Sequence, residues 1–232
     1  TAVMPFFGYA RQDRKDRPRV PITAKLVANL ITKAGADRIL AMDLHAGQIQ
    51  GFFDIPVDHL YSINEVSEYL LKKKLQNLVL VSPDIGGIRM ARAYASILGC
   101  PLAIVDKRRE DATRTQVMHL IGSVEGKNVV ITDDLISTGG SLVEAAHALK
   151  KAGALDVYAA VVHPILAGPA IERLKNSDLK ELIVTNSIPL DTPKQIPMIR
   201  QLSVAGLLAE AIHRIHHNES VSALFSKAGV EA

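Results

Sequence analysis

Residues 130–142, VITDDLISTGGSL, combine two kinds of chemistry in one short segment. Two carboxylates, Asp133 and Asp134, are followed by a run rich in hydroxyls and glycine: Ser137, Thr138, Gly139, Gly140 and Ser141. Glycines let a backbone approach a phosphate closely, and consecutive N–H groups at the start of a helix hold an anion. Carboxylates repel a phosphate, but they accept hydrogen bonds from paired sugar hydroxyls. The segment therefore predicts a sugar-phosphate site, with the phosphate on the glycine loop and the hydroxyls on the acids.

A purely structural interpretation of this segment explains less of it. Helix capping accounts for a hydroxyl at Ser137 or Thr138, just before a helix that we predict over residues 142–151. Capping does not account for two adjacent acids together with two adjacent glycines. The segment also lacks the G-x-x-x-x-G-K-[ST] pattern of a P-loop, so any ATP must be held in another way.

Polar groups follow most of the other predicted strands as well. The sequence has DLH at residues 43–45, SPD at 82–84, DKRR at 106–109, HP at 163–164 and TNS at 185–187. Ligands of open α/β sheets bind outside the carboxyl ends of the strands, so several polar ends together favour a real site. Asp84 also fits an Asx-turn before Gly86 and Gly87, a structural role that is compatible with metal binding.

Two basic segments have more than one interpretation. Residues 11–19, RQDRKDRPR, hold five basic and two acidic side chains, a pattern typical of a solvated face or of a nucleic-acid patch. Residues 107–116, KRREDATRTQ, follow a predicted strand and have little helical or strand periodicity. Composition alone favours a solvated basic turn there, and the alternative is a mobile flap over a site.

Alternating strands and helices must position these groups. Near-continuous Val, Ile and Leu runs predict strands at residues 1–4, 38–44, 77–82, 101–106, 128–132, 157–163 and 181–185. Amphipathic helical patterns lie between them. The alternation predicts an α/β fold with open, mainly parallel sheets flanked by helices. A domain boundary is expected near residues 61–64, where a new helix–strand series starts.

Composition sets the broad class. The chain has 232 residues, 48% of them hydrophobic, and a net charge of +3, too small an excess to indicate nucleic-acid binding. A single cysteine, Cys100, fits a reducing cytoplasm. No apolar run is long enough to cross a membrane, and no signal peptide is recognisable. The first residues, TAVMPFFGYARQ, resemble the middle of a strand entering a loop, so we expect an N-terminal portion to be absent.

The quoted loop is similar to the phosphoribosyl-pyrophosphate loop of the type I phosphoribosyltransferase fold. Five further segments resemble the ribose-phosphate pyrophosphokinase (phosphoribosyl-pyrophosphate synthetase) family: FFGYARQDRKDRPRVPITAKLVANL, MDLHAGQIQGFFDIPVDHLY, LVSPDIGGIRMARAYA, VDKRRED and AEAIHRIHHNESVSALFS. The resemblance covers essentially the whole chain, and DLHAGQIQGFF is highly specific. Two positions depart from the family pattern, with Ser137 where many members have Asp and Ser141 where Thr is usual, and both keep a hydroxyl.

The resemblance implies two phosphoribosyltransferase-like domains, the first N-terminally incomplete. We expect the first over residues 1–62 plus about 218–232, and the second over 63–217. The implied roles are ATP binding for Arg11 and Gln12, Mg²⁺ binding for His45 and Asp84, and catalysis by Lys107 and Arg109 in a flexible loop. Ribose 5-phosphate is expected to contact Arg109, Asp133, Asp134, Ser137, Thr138, Gly139, Gly140 and Ser141.

The implied activity is transfer of the diphosphoryl group of ATP to ribose 5-phosphate. The resemblance also implies a homo-oligomer, specifically a hexamer, with phosphate or ADP as effectors. We expect a cytoplasmic enzyme that engages neither nucleic acid nor membrane. The alternatives are an inactive fragment or regulatory paralogue of the synthetase, or a phosphoribosyltransferase that uses a base and pyrophosphate. A nucleic-acid-binding module is the weakest of them, since the basic residues cluster in one loop with little aromatic support.

Overall fold

The computed structural model describes the backbone of residues 1–108 and 117–224, and the side chains of residues 1–105 and 119–224. The helices are α1 (Thr23–Lys33), α2 (Ile63–Lys73), α3 (Ile88–Leu98), α4 (Gly140–Lys151), α5 (Ala170–Lys175) and α6 (Ala205–His216). The strands are β1 (Ala2–Met4), β2 (Ile39–Met42), β3 (Val57–Leu60), β4 (Leu78–Ser82), β5 (Leu102–Arg108), β6 (Val117–Ile121), β7 (Asn128–Ile136), β8 (Val157–Pro164), β9 (Leu179–Thr185) and β10 (Ile199–Leu202).

The chain divides into two compact units. The first contains residues Thr1–Ser62 together with the segment that starts at Gly206, and the second contains residues Ile63–Ala205. The sequence-based division placed residues 63–217 in the second domain, so the structure differs at α6, which belongs with the first unit. An amphipathic helix shows that it has an apolar face but not which sheet that face covers, which is why the sequence could not assign it.

The first unit is a small parallel sheet. Its order is β1-β2-β3, and β2 is buried along its whole length. Helix α1 packs on this sheet through Ala24 and Ala28, whose small side chains are fully buried against a core that includes Phe7, Ile49 and Phe53. Because the three strands are parallel, their carboxyl ends lie at one edge, where the segments after Met4, Met42 and Leu60 begin.

The second unit is built on a seven-stranded sheet of order β10-β9-β8-β7-β4-β5-β6. All neighbouring pairs are parallel except β5 and β6, which form an antiparallel pair. Strand β8 is buried throughout, as expected for a central strand covered on both faces. The core joins the apolar residues of the central strands to the buried face of α4, formed by Leu142, Ala145, Ala146 and Leu149.

These observations confirm the predicted class, an α/β fold with mainly parallel sheets flanked by helices. Strand β7 runs four residues further than the predicted strand over 128–132 and ends at Ile136, so Asp133 and Asp134 lie inside its last part. In the part of the chain described here, no helix combines the length and the apolar character needed to cross a bilayer.

Glycine at position 122 is required by the packing of β5 against the end of β6. Its φ is +103°, and a Cβ there would lie 3.0 Å from the Cβ and 3.2 Å from the Cα of Ala103. Gly126 also has positive φ, +66°, but a Cβ there would meet nothing within 4 Å.

We expect Gly122→Ala to lower the free energy of unfolding by about 1–3 kcal/mol more than Gly126→Ala, because only the first adds a steric overlap to the backbone strain. Urea unfolding of both variants measures the difference, and equal losses would contradict this packing.

Candidate functional site

The predicted sugar-phosphate loop joins the end of β7 to the start of α4 and lies wholly within the second unit. Gly139 has a left-handed φ of +74° and is the residue before the helix, which begins at Gly140. The carbonyl of Gly139 accepts the N–H of Val143 at 3.0 Å, the first bond of the helix. Earlier amides of α4 have no acceptor inside the helix, which makes this end suited to an anion.

The carboxylates that precede the loop are electrostatically strained. Burial raises the pKa of the Asp133 carboxyl well above its usual range, and the neighbouring charge of Asp134 acts in the same direction. The charge of Asp84 also raises this pKa, so the three carboxylates lie close enough to interact. Asp133 also accepts the backbone N–H of Asp134 at 2.9 Å. A partner that supplies hydroxyl donors or positive charge would relieve this repulsion.

Asp84 lies in a tight turn after β4. Its Oδ1 accepts the N–H of Gly87 at 2.9 Å, and its carbonyl accepts the hydroxyl of Ser82 at 2.7 Å. A Cβ at Gly87 would lie 2.8 Å from the Ser82 hydroxyl, so the turn requires glycine there. The side-chain bond of Asp84 to Gly87 spans three residues, one more than the Asx-turn that the sequence suggested, so the turn before α3 differs in type from the expected one. Asp84 remains exposed, so its carboxylate is accessible to a ligand.

The DLH segment in the first unit is a bent turn, so the strand predicted over 38–44 ends earlier, at Met42. Asp43 has a left-handed φ of +41°, is buried, and its carboxylate accepts the N–H of Ser62 at 2.8 Å. The N–H of Leu44 donates to Nε2 of His59 at 2.9 Å. Two hydrogen bonds from the end of β3 therefore fix the turn, and exposed His45 follows it.

The Arg11–Gln12 turn is fixed to the start of α1. Thr23 donates its hydroxyl to Oε1 of Gln12 at 2.7 Å, and the N–H of Ala24 reaches the carbonyl of Gln12 at 3.2 Å. Gln48, in the segment after DLH, donates to Asp13 at 3.1 Å. The predicted nucleotide segment and the predicted metal segment are therefore linked within the first unit, and Arg11 is exposed.

The structure does not describe the side chains of the two predicted catalytic cations. Lys107 lies on β5 with its backbone paired opposite Met118, but its side chain lies outside the described part of the chain. Arg109 and the rest of the polar stretch over residues 109–116 fall outside the described residues. Both roles stay predictions.

No group of three or more His, Cys, Asp or Glu side chains forms a metal cluster within residues 1–108 and 117–224. Mg²⁺ usually binds through one or two carboxylates, with water and substrate phosphates completing its shell. Among the interacting carboxylates Asp84, Asp133 and Asp134, Asp84 is the predicted Mg²⁺ ligand, and that role stays a prediction. His45 belongs to the first unit and Asp84 to the second, so their joint role as ligands stays a prediction.

Comparison with known proteins covers almost the whole chain. Residues 109–226 match the model of a phosphoribosyl synthetase-associated domain, and residues 1–35 match the N-terminal domain of ribose phosphate pyrophosphokinase. A ribose-phosphate pyrophosphokinase of Bacillus subtilis (strain 168) is 55% identical over 224 residues, which are 97% of this chain and 71% of that protein. One from Chlorobaculum tepidum is 55% identical over 231 residues, 99% of this chain and 71% of that protein. The chain belongs to the ribose-phosphate pyrophosphokinase family.

A solved structure agrees with this assignment. The crystal structure of phosphoribosylpyrophosphate synthetase from Mycobacterium smegmatis matches with a TM-score of 0.88 at 43% identity, over 94% of this chain and 71% of that one. The predicted membership of the ribose-phosphate pyrophosphokinase family is thus confirmed. In the structure, the charges of Asp84 and Asp134 both raise the pKa of Asp133, and Ser137–Ser141 follow the end of the strand that carries the acid pair.

Sequence reasoning missed the residues that hold the site in shape in this member of the pyrophosphokinase family. His59 and Ser62 fix the DLH turn, and Arg173 donates to the carbonyl of Thr138 at 3.0 Å. His59 lies in the quoted segment DLHAGQIQGFFDIPVDHLY, but nothing in the sequence shows that it faces Leu44. Arg173 lies in no motif, so no sequence signal indicated it.

His59 makes the stability of the first unit depend on pH. Burial lowers its pKa to about 4, and its Nε2 must be unprotonated to accept the Leu44 N–H. The unfolded chain takes up this proton near pH 6.5 and the folded chain only near pH 4, so stability falls as the pH is lowered between these values. We expect the contribution of His59 to the free energy of unfolding to fall by about 2 kcal/mol between pH 7 and pH 5, taken as the difference between the wild type and His59→Asn because the raised pKa of Asp133 contributes with the opposite sign.

Urea unfolding of the wild type and of His59→Asn at both pH values measures this effect. The variant should lose most of this dependence, whereas His216→Asn, at an exposed position of the same unit, should keep it. An unchanged pH dependence in His59→Asn would show that this imidazole does not carry the effect.

Proposed function

We propose that the protein transfers the diphosphoryl group of ATP to the anomeric hydroxyl of ribose 5-phosphate, giving 5-phosphoribosyl 1-diphosphate and AMP. The observation that carries the proposal is the relation to ribose-phosphate pyrophosphokinases, which extends over 97% of the chain at 55% identity. The sugar-phosphate loop alone would also fit a phosphoribosyltransferase. The near-complete match to the pyrophosphokinases favours ATP over a base as the second substrate.

Ribose 5-phosphate binds at the carboxyl end of β7 in this proposal. Its phosphate lies on Ser137–Ser141, where glycine backbone and the first amides of α4 favour an anion. Its ring hydroxyls donate to Asp133 and Asp134. The raised pKa of Asp133 supports this arrangement, because hydroxyl donors stabilise the charged form that burial and the neighbouring acids disfavour.

The reaction exchanges one bond to phosphorus for another. The anomeric oxygen of the sugar attacks the β-phosphorus of ATP, the bond from that phosphorus to the α,β-bridging oxygen breaks, and AMP leaves. Arg11 and Gln12 bind the nucleotide, and the hydrogen bonds from Thr23 and Ala24 to Gln12 keep that turn in place. Lys107 and Arg109 neutralise charge that shifts between the phosphate oxygens.

Asp84 and His45 would hold Mg²⁺, with Asp84 supplying a carboxylate from its turn and His45 an imidazole after the DLH turn. When bound, this ion neutralises phosphate charge and orients the phosphate groups for in-line attack. The contribution of the chain is to keep both turns fixed before substrate arrives, through Gly87 in one unit and His59 in the other.

Three further features extend the proposal. We infer a homo-oligomer, a hexamer by resemblance to the family, with phosphate or ADP as effectors. Cytoplasmic location fits a chain whose single cysteine, Cys100, has no partner for an intrachain disulfide. Sedimentation with and without phosphate would measure the assembly.

The reaction class is tested by incubating the chain with ribose 5-phosphate and Mg-ATP alone and following products by ³¹P NMR. We expect AMP and a phosphoribosyl diphosphate to appear in equal amounts, since one β-phosphorus transfer yields one of each. Omitting the sugar phosphate should abolish AMP release. No AMP release, together with consumption of added 5-phosphoribosyl 1-diphosphate and a purine or pyrimidine base and release of pyrophosphate, would indicate a phosphoribosyltransferase and overturn the proposal.

Replacing Lys107 tests the catalytic cation. Lys107→Ala should lower kcat roughly 10²–10³-fold, the cost of losing one preorganised group that stabilises transition-state charge. Lys151→Ala removes an equal charge at the exposed last residue of α4, far along the helix from the loop, and should leave kcat unchanged. Unchanged circular dichroism would show that both variants fold, and near-normal turnover of Lys107→Ala would exclude the role.

A further inference from the structure

The carbonyls of the sugar-phosphate loop are held from one side by a single stretch of chain, residues 165–173. The carbonyl of Ile136 accepts the N–H groups of Ile165 and Leu166 at 3.0 and 3.2 Å, and that of Ser137 accepts the N–H of Ala167 at 3.0 Å. The next carbonyl, that of Thr138, accepts Nη1 of Arg173 at 3.0 Å. Three consecutive carbonyls are thus fixed, the first two by backbone and the third by one side chain.

Fixing a carbonyl also fixes the amide on the other side of the same peptide plane. The peptides of the described chain are all trans, and in a trans peptide the C=O of one residue and the N–H of the next point in opposite directions. The N–H groups of Ser137, Thr138 and Gly139 therefore point away from residues 165–173. These amides form the first half of the cradle on which the 5-phosphate is proposed to lie.

Arg173 acts at the least constrained of these three planes. Gly139 has the left-handed φ that only glycine adopts easily, so the 138–139 peptide can rotate more freely than its neighbours. Thr138 is exposed, and Arg173 reaches it from α5, where it is itself exposed. The same guanidinium lies beside Gly140, since a Cβ there would be 3.2 Å from Nη1. A bulkier residue at position 140 would push the guanidinium away.

We propose that Arg173 is a positioning residue for ribose 5-phosphate: it holds the Thr138 carbonyl outward and thereby directs the Gly139 N–H toward the 5-phosphate. The inference rests on the proposed function of the loop. The positive charge of Arg173 lies beside the glycine loop, so both its hydrogen bond and its charge favour an anion there. The effect is on binding of the sugar phosphate and not on phosphoryl transfer.

Three variants test the proposal on the full chain. Arg173→Met keeps the length of the side chain and removes its donor, Arg173→Lys restores a charged donor, and Lys175→Met removes a charge from the exposed end of the same helix. Arg173→Met should raise the KM and the Kd for ribose 5-phosphate about tenfold, as expected for loss of a hydrogen bond made by a charged group. The KM for ATP and kcat at saturating sugar phosphate should stay unchanged. Arg173→Lys should recover much of the affinity, and Lys175→Met should match the wild type.

Calorimetric titration with ribose 5-phosphate in the absence of ATP gives the Kd independently of turnover. Unchanged affinity in Arg173→Met, in a wild type that makes the diphosphate, would overturn the inference and leave the proposed function intact. Equal losses of affinity for both substrates with a lower Tm would show a general structural role and would also overturn it. A wild type that neither binds ribose 5-phosphate nor releases AMP would instead refute the proposed function.

Discussion

The geometry of the candidate site depends on the peptide groups of the loop whose carbonyls, at residues 136–138, accept hydrogen bonds from residues 165–173. A glycine-rich loop has many accessible conformations, and fixing it for an anion costs conformational entropy unless the fold fixes it first. The segment that connects β8 to α5 supplies the donors for Ile136 and Ser137. Because β8 is the parallel neighbour of β7 in the centre of the sheet, those donors are themselves held by a buried strand. The loop is therefore ordered by the sheet and not by its ligand.

Negative charge at the start of the same segment is costly unless a proton or a ligand compensates it. Asp133, Asp134 and Asp84 interact where burial already disfavours a charged carboxylate. Packing alone would favour apolar residues here, as at the neighbouring positions Ile131 and Ile136. Strain of this kind is typical of positions that serve chemistry at the expense of stability. The acids in β7 and the glycine loop that follows this strand fit the proposed sugar phosphate, which presents hydroxyls at one end and a phosphate at the other.

Much of the fold and part of the site could be predicted from local sequence. The loop Ser137–Ser141, its acids and the Asp84 turn are contiguous segments that residue types alone single out, and their ligand roles stay predictions. Strands β3, β6 and β10 were not predicted, because VDHL, VMHLI and IRQL are short and interrupted by polar residues. Strand β6 also pairs antiparallel at the edge of the sheet, which the β–α alternation did not indicate. The supporting contacts of His59 and Arg173 depend on which segments meet in space, and a single sequence does not contain that information.

The two turns that carry candidate Mg²⁺ ligands are held in place in different ways. In the second unit, Asp84 makes its own turn with Gly87 and Ser82, so its position is decided within six residues. In the first unit, His45 follows a turn that is held by His59 and Ser62, more than a dozen residues away on the next strand. Substitutions in β3 should therefore disturb the DLH turn, whereas the hydrogen bonds that hold the Asp84 turn are all local. The parallel sheet makes this possible because neighbouring strands end at the same edge, so a residue leaving one strand can fix the turn that leaves the next.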